Sequence, residues 1–118
     1  MGFQAPISGP GDTGVSQYDV FHDPSASAGD GISFVVLIQS DLLDALHTQM
    51  VMRLALPSRA SRVPAALCPV VVVKGQRLHA LAHFAAPLPA RLLKRPVDNL
   101  AGHSSALVAA MDAVLSGL

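Results

Sequence analysis

The sequence predicts a mainly β domain, largely antiparallel, that ends in one amphipathic α-helix. Three observations predict it. Short runs rich in β-branched residues, Ile32–Ile38 and Val70–Val73, are bounded by turn-forming residues, as strands are. Pro57, Pro87, Pro89 and Pro96 end or confine the segments around them, because proline cannot donate to a central ladder. After Gly102, the apolar residues Leu107, Met111, Val114, Leu115 and Leu118 recur at i, i+4, i+7, i+8 and i+11, which is one stripe of a helix. With 118 residues, 51% of them hydrophobic, the chain has material for one core.

Residues 1–17 are rich in Gly, Pro and Ser and poor in large apolar side chains. A flexible N-terminal extension is expected there, followed by one domain over 18–118. Tyr18, Val20 and His22 alternate with Asp19, Phe21 and Asp23 as a short strand does. Pro24–Gly31 is a turn by its chemistry, and Ile32–Ile38 returns as the second arm of a hairpin. Met50–Leu56 forms a third strand closed by Pro57, and Ser58–Leu67 has no period and is a loop. Val70–Val73 reads as a buried strand, Lys74-Gly75-Gln76 as a turn and Arg77–Ala82 as its antiparallel partner. Pro87, Pro89 and Pro96 leave the next stretch to an edge strand or irregular structure. Gly117 stands just past the last turn of the terminal helix, where a helix-ending glycine belongs.

Charge and composition exclude several functions. Eight Lys and Arg balance eight Asp, so binding driven by phosphate neutralisation is disfavoured, and no direct sequence-specific nucleic-acid binding by the chain alone is expected. The charges are nonetheless segregated: six of the eight Asp precede Arg53, and no Lys or Arg does. The longest apolar stretches fall far short of the roughly 20 residues that span a membrane. No basic region precedes an apolar one, so neither a membrane nor a secretory signal is expected, and the location is read as cytoplasmic. The one cysteine, Cys68, cannot pair within the chain or build a cysteine zinc site, and it reads as a packed structural thiol.

No catalytic constellation stands out. His79 and His83 lie in a strand pattern, where four residues span about 13 Å, too far to chelate one ion. There is no Glu for a His-Glu zinc motif, and no Gly-x-Ser-x-Gly elbow or phosphate loop. Asp41 and Asp44 fit turn or cap chemistry better than an acid–base pair. Arg91, Lys94 and Arg95 form a small basic cluster without aromatic neighbours to stack a base. No cofactor or metal is implied. The helix is the more informative feature, because its apolar stripe runs to Leu118 with no polar tail to shield it.

The order of motifs from Tyr18 to Leu118 resembles the CcdB family, toxins that act on DNA gyrase. The residues that carry the resemblance are Gln39-Ser40-Asp41-Leu42-Leu43-Asp44, then Met50-Val51, then Leu67-Cys68-Pro69-Val70-Val71, then Pro89 and the terminal Gly117-Leu118. The resemblance implies an SH3-like antiparallel β-barrel sheet with a small second sheet and a C-terminal helix, assembled as a symmetric homodimer. It implies a dimer interface through Met111, Val114 and Leu118. It also implies a toxin that is not an enzyme and that traps the cleaved-DNA complex of the gyrase A subunit. The contacts would come from Leu42, Leu43, Asp112, Leu115, Ser116, Gly117 and Leu118, and a CcdA-like antitoxin would neutralise it. The family pattern ends in Trp-Gly-Ile, whereas this chain ends Ser116-Gly117-Leu118 and so forfeits a cation–π contact worth roughly 0.5–2 kcal/mol. Two alternatives follow. One is a ribonuclease toxin of the related MazF type, using Arg53, Arg59 or His79 with Ser58; the other is a dimeric homologue that binds antitoxin without poisoning.

Overall fold

The computed structural model describes residues 15–24, 32–41, 46–57 and 64–116. Six strands follow one another: β1 (Asp19–His22), β2 (Ile32–Leu37), β3 (Thr48–Ala55), β4 (Val70–Val73), β5 (Gln76–Pro89) and β6 (Asp98–Asn99). Short 3-10 turns occupy Ala65–Leu67, Ala90–Leu92 and Ala101–His103, and α1 (Ser104–Ser116) completes the described chain. The strands form one antiparallel sheet in the order β4-β5-β3-β2-β1-β6.

The sheet curls until its two edges approach. β4 and β5 are joined by two residues, Lys74 at φ 51° and Gly75 at φ 82°, with Val73 paired to Gln76. Positive φ at both positions is what a tight turn matching strand twist requires, and Gly75 adopts it without steric cost. The Lys74 N–H of this turn donates to Asp98 Oδ2 in β6, 2.9 Å away, so the turn beside one edge strand is tied to the other. The result is a nearly closed, barrel-like sheet with one C-terminal helix, the β+α architecture expected from the sequence.

The core lies on both faces of the sheet. Val20, Val36, Met52, Leu54, Val71 and Leu78 line one face together with Leu107 and Ala110 of α1. Phe21, Val35, Leu37 and Val51 line the other, where Leu93 packs on them. Both Val20 and Phe21 are therefore fully buried, and of β1 only His22 is exposed despite the alternating sequence. Arg53 reaches across the second face to the buried carboxylate of Asp23, Nε to Oδ2 at 3.2 Å.

Three elements depart from their expected form. β4 is buried on one face only: Val71 and Val73 face the core while Val70 and Val72 are 40% and 43% exposed, because no described element packs on the outer face of the β4–β5 hairpin, where Arg77 is exposed as well. β5 does not stop at Ala82 but runs on to Pro89, with Pro87 opposite Met50 and Pro89 opposite Thr48. β4 covers β5 only as far as His79, so these prolines sit where the strand is a described edge and their missing donors cost no ladder bond. The register of β3 and β5 shifts between Val51 and Arg53. What the resemblance implies as a small second sheet is here the continuation of the first beyond this bulge, Thr48–Val51 with Ala86–Pro89.

Candidate functional site at the C-terminal helix

The position of α1 is set by a polar lock at its start. Asn99 Nδ2 donates to Asp19 Oδ1 at 2.8 Å, and Ser16 N–H donates to Asp19 Oδ2 at 2.7 Å. Ala101 N–H donates to Asn99 Oδ1 and Leu100 N–H to the Tyr18 carbonyl, both at 2.8 Å. These bonds satisfy the buried Asp19 carboxylate while fixing where the chain leaves β6. Leu107 and Ala110 then insert into the core, and Met111 packs half-buried beside them.

The outward side of the helix is unusual for a solvated one. Val108 is 48% exposed, Val114 37% and Leu115 80%. Asp112 is the one charged residue in Ser104–Ser116, and it is exposed, as is Ser116. A helix face meeting only water normally carries many charges. Val108, Asp112 and Leu115 stand at i, i+4 and i+7, so they form a second stripe beside the buried one.

A cleft of about 240 Å³ runs beside this stripe, floored by Ile38, Met50 and Leu107 and rimmed by Tyr18, Val108 and Asp112. Tyr18 holds φ 73°, an uncommon conformation for a bulky residue, fixed by its N–H bonding to Leu37 and its carbonyl to Leu100. The root of the loop after β2 reaches the same place. Asp41 Oδ1 accepts from the Gln17 N–H at 2.7 Å, Gln17 Nε2 donates to Ile38 O at 3.0 Å, and Gln39 Oε1 accepts from the Met50 N–H at 2.9 Å. The start of that loop and the helix thus border one cleft, to which Gln17, Gln39, Met111 and Asp112 all contribute.

The CcdB protein family model matches residues 17–117. The chain belongs to the CcdB family. That membership supports the class of toxin of a toxin–antitoxin pair, in a family that poisons gyrase rather than catalysing a reaction. No individual curated protein matches the chain significantly.

Among the residues that the CcdB resemblance singles out, the structure brings Asp112, Leu115 and Ser116 together on the outward side of α1. Leu42, Leu43, Gly117 and Leu118 lie outside the described residues. Of the three assigned to self-association, Met111 packs on its own sheet, Val114 is exposed, and Leu118 is again outside the described residues. Tyr18 and Val108 were not singled out by the sequence. Val108 could have been found from the second helical stripe, but the place of Tyr18 depends on β6 and α1 folding over it.

Other chemistry finds little support in this CcdB-family chain. Asp41 accepts from the Gln17 N–H, 24 residues away, a tertiary contact rather than the local turn or cap bond expected of it. Arg53 is engaged with Asp23, and His79 Nδ1 donates to the Cys68 carbonyl at 3.1 Å; Ser58 and Arg59 lie outside the described residues. Burial pushes the Cys68 thiol above its ordinary pKa, which disfavours the reactive thiolate. Among the described residues no group of three or more His, Cys or Asp side chains could hold a metal ion. No described helix is long and apolar enough to cross a membrane.

Proposed function

We propose that this chain is the toxin of a type II toxin–antitoxin system, binding the DNA gyrase A subunit through the outward side of α1. The single observation that carries the reading is a helix that keeps Val108, Val114 and Leu115 in water with only Asp112 as a charge, in a chain of the CcdB family. Exposed apolar side chains gain free energy only when a partner covers them.

In this reading the activity is adhesion. Two copies associate through Met111, Val114 and Leu118, and the paired helices enter between the arms of the gyrase A dimer. Leu42, Leu43, Asp112, Leu115, Ser116, Gly117 and Leu118 make the contacts while the DNA is cut and covalently held. No bond is made or broken by the toxin itself, so no cofactor takes part. A CcdA-like antitoxin covers the same surface in the cytoplasm and releases gyrase.

Plasmid supercoiling and cleavage assays with the purified chain and gyrase from its own host test the reading. Accumulated linear DNA, dependent on gyrase, is the expected result. Unaffected supercoiling together with no cleaved product would refute it. Bulk mRNA cleavage on expression, with replication spared, would favour the ribonuclease alternative instead.

A further inference from the structure

We propose that the turn from Arg91 to Arg95 is a docking site for a peptide segment that carries carboxylates beside an aliphatic side chain. Arg91, Lys94 and Arg95 fall within five residues, and all three are exposed. Among the described residues no carboxylate lies within ion-pair distance of any of them; the ion pair that does form is that of Arg53 with Asp23, elsewhere in the sheet. Leu92, set among these cations, is itself 39% exposed, although its neighbour Leu93 is only 2% exposed.

The turn is pinned from both sides. Ala90 N–H donates to His47 O and Val97 N–H donates to Val20 O, each at 2.7 Å. Between these points Leu93 packs against Phe21, Val35 and Leu37, and Arg95 turns the chain at φ 58°. A surface whose backbone is already ordered loses little conformational entropy when a partner arrives. The cations therefore project from a preformed platform.

Charge complementarity identifies the occupant. Guanidinium groups bind carboxylates with paired, charge-assisted hydrogen bonds, and two of the three cations are arginines. Leu92 offers an aliphatic contact between them, which a peptide can meet with a leucine or isoleucine. A nucleic acid fits less well. Its affinity grows with the number of phosphates neutralised, residues 90–97 hold no aromatic ring to stack a base, and Leu92 would face a hydrated backbone. A membrane surface needs a deeply inserting group alongside so few charges, which one half-exposed leucine does not supply. The turn lies between β5 and β6 in the chain and contributes no residue to the cleft beside α1, so its test is separate from that of gyrase binding.

Fluorescence anisotropy with labelled peptides alternating aspartate or glutamate with leucine tests the proposal on the whole chain. Saturable binding that weakens with salt is expected, with about a tenfold loss in R91Q/K94Q/R95Q and a smaller loss in L92S. Arg77, an exposed cation at the other end of β5, provides the comparison, and R77Q should bind the peptides like the parent. Circular dichroism and thermal melting establish that each variant is folded. Absence of saturable binding, or an equal loss in R77Q, overturns the proposal. So does tighter binding of a random DNA duplex or of phosphatidylserine vesicles through the same three cations.

Discussion

At 80% exposure the Leu115 side chain owes almost nothing to its own fold, so its removal separates binding from stability. Leu115→Asp should change unfolding free energy by no more than about 0.5 kcal/mol, as exposed substitutions do. Its affinity for the gyrase A subunit should fall by roughly tenfold or more, because a central apolar contact is replaced by a desolvated charge. Thermal melting and calorimetric titration read the two effects independently. Ser116 gives the opposite prediction. It is exposed at the end of α1, where the family pattern has a tryptophan, so Ser116→Trp should tighten gyrase binding by about 0.5–2 kcal/mol of cation–π attraction. A titration showing no gain would mean that the helix meets a different surface. Asp98 makes a prediction about pH. Its carboxylate accepts the Lys74 and Asn99 N–H groups, which hold its pKa below the ordinary 3.8. Stability from this site is complete above the unfolded value and is lost as pH falls through the lower folded value. Asp98→Asn should flatten that acid limb in urea unfolding measured across the carboxylate range, and an unchanged limb would show that the latch contributes nothing.

Among the elements, α1 joins a buried stripe to an exposed one, and the two respond differently to substitution. Leu107 is 1% exposed in the main core, so Leu107→Ala should cost about 2–5 kcal/mol of folding stability in a denaturant titration. A cost under about 1 kcal/mol would mean that the helix is not docked as described. The existence of this helix was legible in the sequence, because Leu107 and Met111 follow the helical period without a proline to interrupt them. The exposure of its other stripe was not, since Val108 and Leu115 have the composition of a core. β4 makes the same point for strands. Four consecutive valines announce a strand, but a uniform run carries no alternation to say which side faces water. The prolines of β5 signalled an edge correctly, yet not that the strand would continue through them beyond the reach of β4.

For the whole molecule, the proposed dimer is the property that links fold to activity. Val114→Asp and Leu118→Asp each place a carboxylate in the proposed two-fold contact and should shift the chain from dimer to monomer in sedimentation velocity. An unchanged dimer in both would move the contact away from the end of the chain. Self-association and gyrase binding share this end, so variants that lose the first should lose the second. The outward side of Leu115 offers the control in which only the second is lost.

The sequence by itself determined the local states: strands from β-branched runs, a turn at Lys74-Gly75, a helix from its period, and family membership from ordered motifs. These depend on residues near one another in the chain. Tertiary structure alone decided the rest. The Asn99 bond to Asp19 spans 80 residues, the latch from Lys74 to Asp98 spans 24, and the second face of β1 is covered by Val15, Leu88 and Leu93, which come from other parts of the chain. Which apolar side chains stay in water depends on what the folded chain has left to cover them, and no local pattern encodes that.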